Sequence, residues 1–457
     1  MLAQGGDTMV TRAFTRRRFV GAVAAASGAV IAAPYVHTSH AAGSLAVGFW
    51  DHWVPKANDE LTALCREWAA KEKVELKIDY ITSQGNKNLM TIAAESLART
   101  GHDLLAFPTW QPADKANLLE PVDDLMKTLL AANGPVAPLI EYLARPSGTW
   151  IAVPTAFGSQ IKGPCARIDL LKQYAHLDVT RMYPAGAAPD KELSDKWTWE
   201  TFLSAAQSCH KAGYPFGIGL GQTEDSVDTQ GALWRAFGAE LVDANGNVTV
   251  DSDAVRQVLE YNKRLAAFLP PDVYAWDNAS NNRALISGKS ALIMNPPSAW
   301  AVAKRDNPQV AEQLWTFPSP RGPKGRFEPY LPYFWGVWKF SKNKAAAKSL
   351  LLHLSQRSAV GRTVAASQGY DIPAFAGLND FRTWAEEGPP KGTLYHYPPK
   401  PGQVLSVAGY PAPPRIGVRI YTGALMTKMV AKYTLNSEPS SKVIAWAASE
   451  LDGFMRV

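Results

Sequence analysis

The chain is poor in the residues that covalent, metal or membrane-spanning roles require. Three cysteines in 457 residues, Cys65, Cys165 and Cys209, allow at most one internal disulfide. Cys65 and Cys209 fall on apolar helix faces, so buried free thiols are expected. Beyond residue 42 no run reaches the about 18 apolar residues of a membrane helix. Lys and Arg form no stripe and do not interleave with aromatics, which argues against nucleic-acid binding. His52, His102, His176, His210, His353 and His396 are scattered without metal-ligand spacing. Gly217-Ile218-Gly219-Leu220-Gly221 has the spacing of neither a phosphate loop nor a nucleophile elbow. No cofactor is expected.

The first 42 residues carry a targeting pattern instead. Residues 15–21 read TRRRFVG, which puts Thr15, Arg16, Arg17 and Phe19 at the spacing of a twin-arginine export signal. A mostly small, apolar run follows over residues 20–33, too short to span a bilayer. Ser39-His40-Ala41-Ala42 then offers small residues for cleavage, and Met9 is a second candidate start. The first cysteine is Cys65, so lipid attachment at a mature N-terminal cysteine is not expected. Residues 1–42 hold four Arg and one acid. The remainder therefore carries 43 basic and 40 acidic side chains, a net of +3 against +6 for the whole chain. Half of the excess positive charge belongs to the signal. The expected product is a soluble, nearly balanced protein of two domains, too long for one ordinary core.

Along that product the hydrophobic period alternates between strand and helix. Apolar residues at 45–50 read as a strand, and Asn58, with Asp59 and Glu60 behind it, reads as the cap of a helix. Residues 74–80 alternate as a strand, 87–98 read as a helix, and 104–107 as a buried strand. This order predicts an α/β lobe with a parallel sheet. Further on, a helix capped by Thr198, a strand through Phe216 and Ile218, helical patterns at 233–239 and 254–269, and short strands at 291–294 and 314–317 are expected. Residues 335–340 read as a strand and 345–356 as a helix, before Pro-rich loops at 388–401 and 411–414 and final helices reaching 451–455.

Five stretches in order carry a resemblance. They are FWDHWVP with ANDEL after the first strand, GTWIAVPTAFGSQIKGPCARIDLL, Trp197-Thr198-Trp199-Glu200-Thr201-Phe202, SGKSALIMN at 287–295 with Trp300 beyond it, and FSKNKAAA at 340–347. Together they resemble the bacterial extracellular solute-binding proteins whose best-known members bind maltose and other sugars. Many relatives have Tyr and Asn after the hinge strand, where this chain has Lys162-Gly163-Pro164-Cys165-Ala166-Arg167. The resemblance implies an α/β, periplasmic-binding-protein-like fold of two α/β lobes joined by a hinge of two or three crossovers. It places the lobes at 43–157 with 317–365 and at 158–316 with 366–457. It also implies a small-molecule ligand held between the lobes at strand carboxyl ends. The implied partners are an inner-membrane ABC permease with its ATPase, and the export signal adds the twin-arginine translocase. A periplasmic monomer is expected.

On that pattern the candidate ligand residues are Trp50, Asp51 and Trp53 after the first strand, Thr109 and Trp110 after the strand at 104–107, Phe157 at the first crossover, Trp276 and Asp277 ahead of the strand at 291–294, Asn295 and Trp300 after it, and Trp335, which leads into a strand. Covering one Trp face removes roughly 100 Å² from water, about 2.5 kcal/mol, and a carboxylate such as Asp51 takes two hydroxyls or one ammonium. A neutral sugar or polyol is the first expectation, and a cation such as a polyamine or quaternary amine the second. An iron carrier using Tyr330 and Tyr333 is a third. An envelope carbohydrate-active enzyme would need Asp51 and Asp277 as a carboxylate pair across the sugar.

Overall fold

The protein is seen here as a computed structural model that describes residues 43–456 apart from 186, 388–398, 400 and 401. The export signal read in residues 1–42, with Arg16, Arg17 and Phe19, lies outside the described residues, and so does most of the loop at 388–401.

The first sheet grows from the apolar run at the head of the product. Strand β1 (Ser44–Trp50) buries Leu45, Val47, Phe49 and Trp50 and pairs in parallel with β2 (Glu75–Ile81) and β3 (Leu104–Pro108). Parallel neighbours need a crossover, and the helices Pro55–Glu72 and Lys87–Ala98 supply it. The first of these starts three residues before the cap expected at Asn58, because Pro55 at its first turn has its φ preset for helix. Asn58 is freed to reach back into the preceding loop, where its Oδ1 accepts from His52 N and its Nδ2 donates to Asp51 Oδ1.

Two long strands then carry the chain out of this sheet and back. Strand β4 (Val153–Ile161) is buried along its whole length and pairs antiparallel with β9 (Gly325–Val337), which in turn pairs antiparallel with β3. After Lys162 the chain enters β5 (Pro164–Arg167), the centre of a second, antiparallel sheet with β6 (Leu292–Met294) and β7 (Leu314–Thr316). It returns from β7 through β8 (Arg321–Gly322) into β9, and β10 (Gln403–Ser406) completes the first sheet. The returning strand begins ten residues earlier than the one expected at 335. Phe216 and Ile218 make no strand, and only Gly217 bridges to Ile293. Glycines at 217, 219 and 221 give that stretch no side chains to pack on a pleat.

The helical expectations fare better. Thr198 caps Trp199–Lys211 by accepting from Thr201 N, and a longer helix than expected, Glu224–Phe237, opens on Thr223. All three cysteines are buried without a disulfide, and burial pushes the Cys209 thiol up to about 12. No helix among the described residues is long and apolar enough to cross a membrane.

Candidate ligand-binding site

Between the two sheets, beside the paired strands β4 and β9, lies a cavity of about 20 Å³, room for little more than one water molecule as the halves stand here. One side of it is aromatic. Trp50, at the carboxyl end of β1, sits with ring centroids 5.3 Å from Tyr333 and 6.1 Å from Tyr370. Gly158 faces this pair from β4. It has φ +87°, and a Cβ there would lie 3.0 Å from both the Trp50 and the Tyr333 rings. Only glycine meets both demands.

The aromatic wall is backed by a hydrogen-bonded tie. Val54 N donates to His52 Nδ1 at 2.8 Å, so the ring carries its proton on Nε2 and donates it to Asp371 Oδ1 at 3.0 Å. The same carboxylate oxygen accepts from Gly158 N at 2.8 Å. His52 packs edge-on to Trp50 and Tyr370, at 5.0 and 4.5 Å. One buried carboxylate thus links the loop after β1, strand β4 and the segment that carries Tyr370.

The other side is ionic. Lys162, directly after β4, is buried and donates to Asp225 Oδ1 and Asp228 Oδ2, each at 2.8 Å. Burial works against its ammonium, but Asp225, Asp228 and Glu224 outweigh it and hold the group protonated above the ordinary lysine range. Tyr421 donates to the second oxygen of Asp228 at 2.9 Å, and Asn281 and Asn295 donate to Asp225 Oδ2 at 3.1 Å. Burial raises Asp228 above the usual carboxylate range despite Lys162 and Tyr421. Burial likewise pushes Glu224 up to about 7; Lys162 opposes this, and Asp228 and Asp225 add to it.

Buried polar atoms among the cavity's lining residues that have no hydrogen-bond partner include Trp50 Nε1, Gln160 Oε1, Glu224 Oε1 and Asn278 Oδ1. A buried donor or acceptor left unpaired costs about 1–3 kcal/mol, and buried polar groups as a rule find partners. These acceptors and the Trp50 donor around a single cavity are what a polyhydroxylated ligand would satisfy.

Of the residues expected from sequence, Trp50, Trp53 and Asn295 line this cavity. Trp276 and Asp277 line a smaller one beside it, with Asp225 shared between the two. The others stand elsewhere. Asp51 is exposed and tied to Asn58, and Asp277 is exposed and tied to Ser280 and Arg283; these two do not face each other across the cavity as a pair. Thr109 is buried with its N–H on the Pro332 carbonyl. Trp110 is core, its Nε1 donating to the Ala408 carbonyl at 2.8 Å. Phe157 packs behind His52 at 5.1 Å, and Trp335 packs on Phe49 at 5.7 Å. Trp300 is buried with Lys304 4.7 Å over its ring. Tyr333 lines the cavity, whereas Tyr330, on the same strand, does not. Sequence reasoning passed over Gln160, Lys162, Glu224, Asp225 and Tyr370. A lysine inside the uncharged run from Ile151 to Ala166 was the available signal for Lys162.

Comparison with known proteins agrees with this architecture. The family model for bacterial extracellular solute-binding proteins matches residues 55–354. Among solved structures, a maltose-bound T. maritima protein, MalE3, superposes with a TM-score of 0.72 at 18% identity, covering 90% of this chain and 99% of its own. An ABC transporter solute-binding protein from Thermotoga lettingae TMO, bound with α-D-tagatose, gives 0.71 at 15%, covering 90% and 100%. The GacH receptor of Streptomyces glaucescens GLA.O, described unliganded and with acarbose, gives 0.69 at 20%, covering 91% and 99%. At such identities the likeness is one of fold. No curated protein matches the chain. With two sheets joined by paired strands, a cavity beside them and a family match over most of its length, the chain belongs to the bacterial extracellular solute-binding proteins.

Proposed function

We propose that this protein is the receptor of an ABC importer for a sugar or polyol, which it captures at the cavity beside β4 and β9 as the lobes part to make room, and delivers to a membrane permease and its ATPase. The observation that carries this reading is the pairing of the Trp50–Tyr333 wall with unpartnered polar atoms of Trp50, Gln160, Glu224 and Asn278 around one cavity. Sugar rings present apolar C–H faces that stack on aromatic rings, and hydroxyls that donate and accept at their edges. The sugar-bound relatives of the same fold support it. The residues that line the cavity would recognise and hold a ligand, and no transformation of it is assigned to them. Export as a folded periplasmic monomer through the twin-arginine translocase, and closure of lobes 43–157 with 317–365 against 158–316 with 366–457, are parts of the same proposal.

The test is titration calorimetry of the exported protein with neutral mono- and disaccharides and polyols, with polyamines and betaines as comparators. Micromolar binding of a sugar or polyol that is weakened at least about tenfold by Trp53→Ala is expected. Binding confined to polyamines or betaines would overturn the sugar reading.

A further inference from the structure

The ionic side of the cavity holds more acid than base. One ammonium, Lys162, meets three carboxylates, those of Glu224, Asp225 and Asp228. Lys162 Nζ is committed to Asp225 and Asp228, and the remaining oxygens of those two acids accept from Asn281, Asn295 and Tyr421. The protein satisfies both acids internally. Glu224 is different: its Oε1 is buried without a partner, and the residue lines the cavity beside Trp50 and Gln160.

We propose that the ligand of this cavity is a sugar or polyol bearing a protonated amine, which seats on Glu224 against the rings of Trp50 and Tyr333. The inference rests on the sugar-receptor reading above and narrows it. A hydroxyl can donate to Glu224, but it leaves the negative excess of the site in place. An ammonium both donates and offsets the charge, and charge-assisted hydrogen bonds are the stronger kind. The aromatic wall suits the same group, because ring faces attract a desolvated cation. A bare metal ion does not fit. Among the described residues no three His, Cys, Asp or Glu side chains converge on a metal position, and Lys162 Nζ already stands between Asp225 and Asp228.

The protonation of Glu224 gives this proposal its own readout. The charged and titratable groups that face it are Lys162 from the end of β4, Asp225 and Asp228 from its own helix, Tyr333 from β9 and Tyr421 from the Pro414–Thr422 helix. With its titration brought to about 7, Glu224 is shared between protonated and ionised forms near neutral pH. An arriving ammonium favours the ionised form, so it expels part of a proton and binds more tightly as pH rises through neutrality. A neutral sugar has no such effect.

The experiment is calorimetry on the exported protein with matched pairs, sorbitol against glucamine and glucose against glucosamine, with spermidine alongside, in buffers of unlike ionisation enthalpy. Glucamine keeps the proton of its aliphatic amine across the range from pH about 6 to about 8. The amine of each pair is expected to bind at least about tenfold more tightly than its neutral partner, with proton release and, for glucamine, affinity rising over that range. Glu224→Gln should cut the preference to within about twofold and abolish proton release, with its melting curve reporting the fold. Neutral partners binding as tightly as the amines, or a preference that survives Glu224→Gln, would overturn the ammonium and leave the sugar receptor standing. Spermidine binding alone would overturn the sugar, and no binding by any probe would overturn both.

Discussion

Lys162 Nζ and Asp228 Oδ2 stand 2.8 Å apart with both side chains withdrawn from solvent, one at the end of β4 and the other on the Glu224–Phe237 helix. Removing the ammonium would leave the buried Asp228 carboxylate with Tyr421 alone. Lys162→Met should therefore destabilise the protein by about 3–5 kcal/mol, read as a lower urea midpoint. The loss should shrink in acid. Without the ammonium, the folded protein holds the proton of Asp228 more tightly than the unfolded chain does, so stability is present at low pH and lost as pH rises through the folded value. An unchanged midpoint at neutral pH would show that the pair is not buried as described.

Trp50 and Trp53 separate packing from binding. Trp50 is buried against Tyr333, Tyr370 and His52, so Trp50→Ala should cost about 3–5 kcal/mol of stability along with affinity. Trp53 is half-buried at the cavity, and Trp53→Ala should weaken binding about tenfold while costing no more than about 1 kcal/mol in stability. Equal melting losses in the two variants would place Trp53 in the core.

Gly158 and Gly148 make a controlled pair. Both have positive φ, +87° and +82°, but a Cβ at Gly148 meets nothing within 4 Å, whereas at Gly158 it meets Trp50 and Tyr333 at 3.0 Å. Gly148→Ala should cost about 1 kcal/mol of backbone strain. Gly158→Ala should cost about 1–3 kcal/mol beyond that and should weaken ligand binding, since the rings must shift. Identical melting shifts would contradict the close approach.

His102 sets a stability window away from the site. Its Nδ1 meets Glu95, its Nε2 meets Asp79 Oδ2 at 3.0 Å, and Trp338 Nε1 donates to the other Glu95 oxygen at 2.9 Å. Burial works against the imidazolium, but Glu95 and Asp79 prevail and raise His102 above its ordinary value. This contribution is fully present below the unfolded value of about 6.5 and is lost as pH rises through the folded value. Urea midpoints should fall across that interval in the native protein and less steeply in His102→Gln. Parallel profiles would remove His102 from the account.

Much of the first sheet and its helices was legible because their signals are local. The period of 87–98 and the cap at Thr198 rest on neighbouring residues, and Trp50, Trp53 and Asn295 follow from one rule about strand ends. Asn58 misled because an Asn that reaches back into a loop has the same sequence signature as a helix cap. Trp110 obeyed the strand-end rule in position but turned into the core, a choice made by packing, whereas Trp300 lies within the Pro296–Asp306 helix and Trp335 inside β9. The ionic half was hidden for another reason. Lys162 and Asp228 are 66 positions apart, and they meet only because the end of β4 is carried against the Glu224–Phe237 helix.

Gln160 and Lys162, Leu331 and Tyr333 come from the two segments by which the chain leaves its first sheet and returns. Under the proposed closure of the lobes, the floor of the cavity would be the pivot itself. On that reading, a substitution that retunes which ligand is preferred would also alter the stiffness between the halves, so selectivity and mechanical compliance would be inherited together.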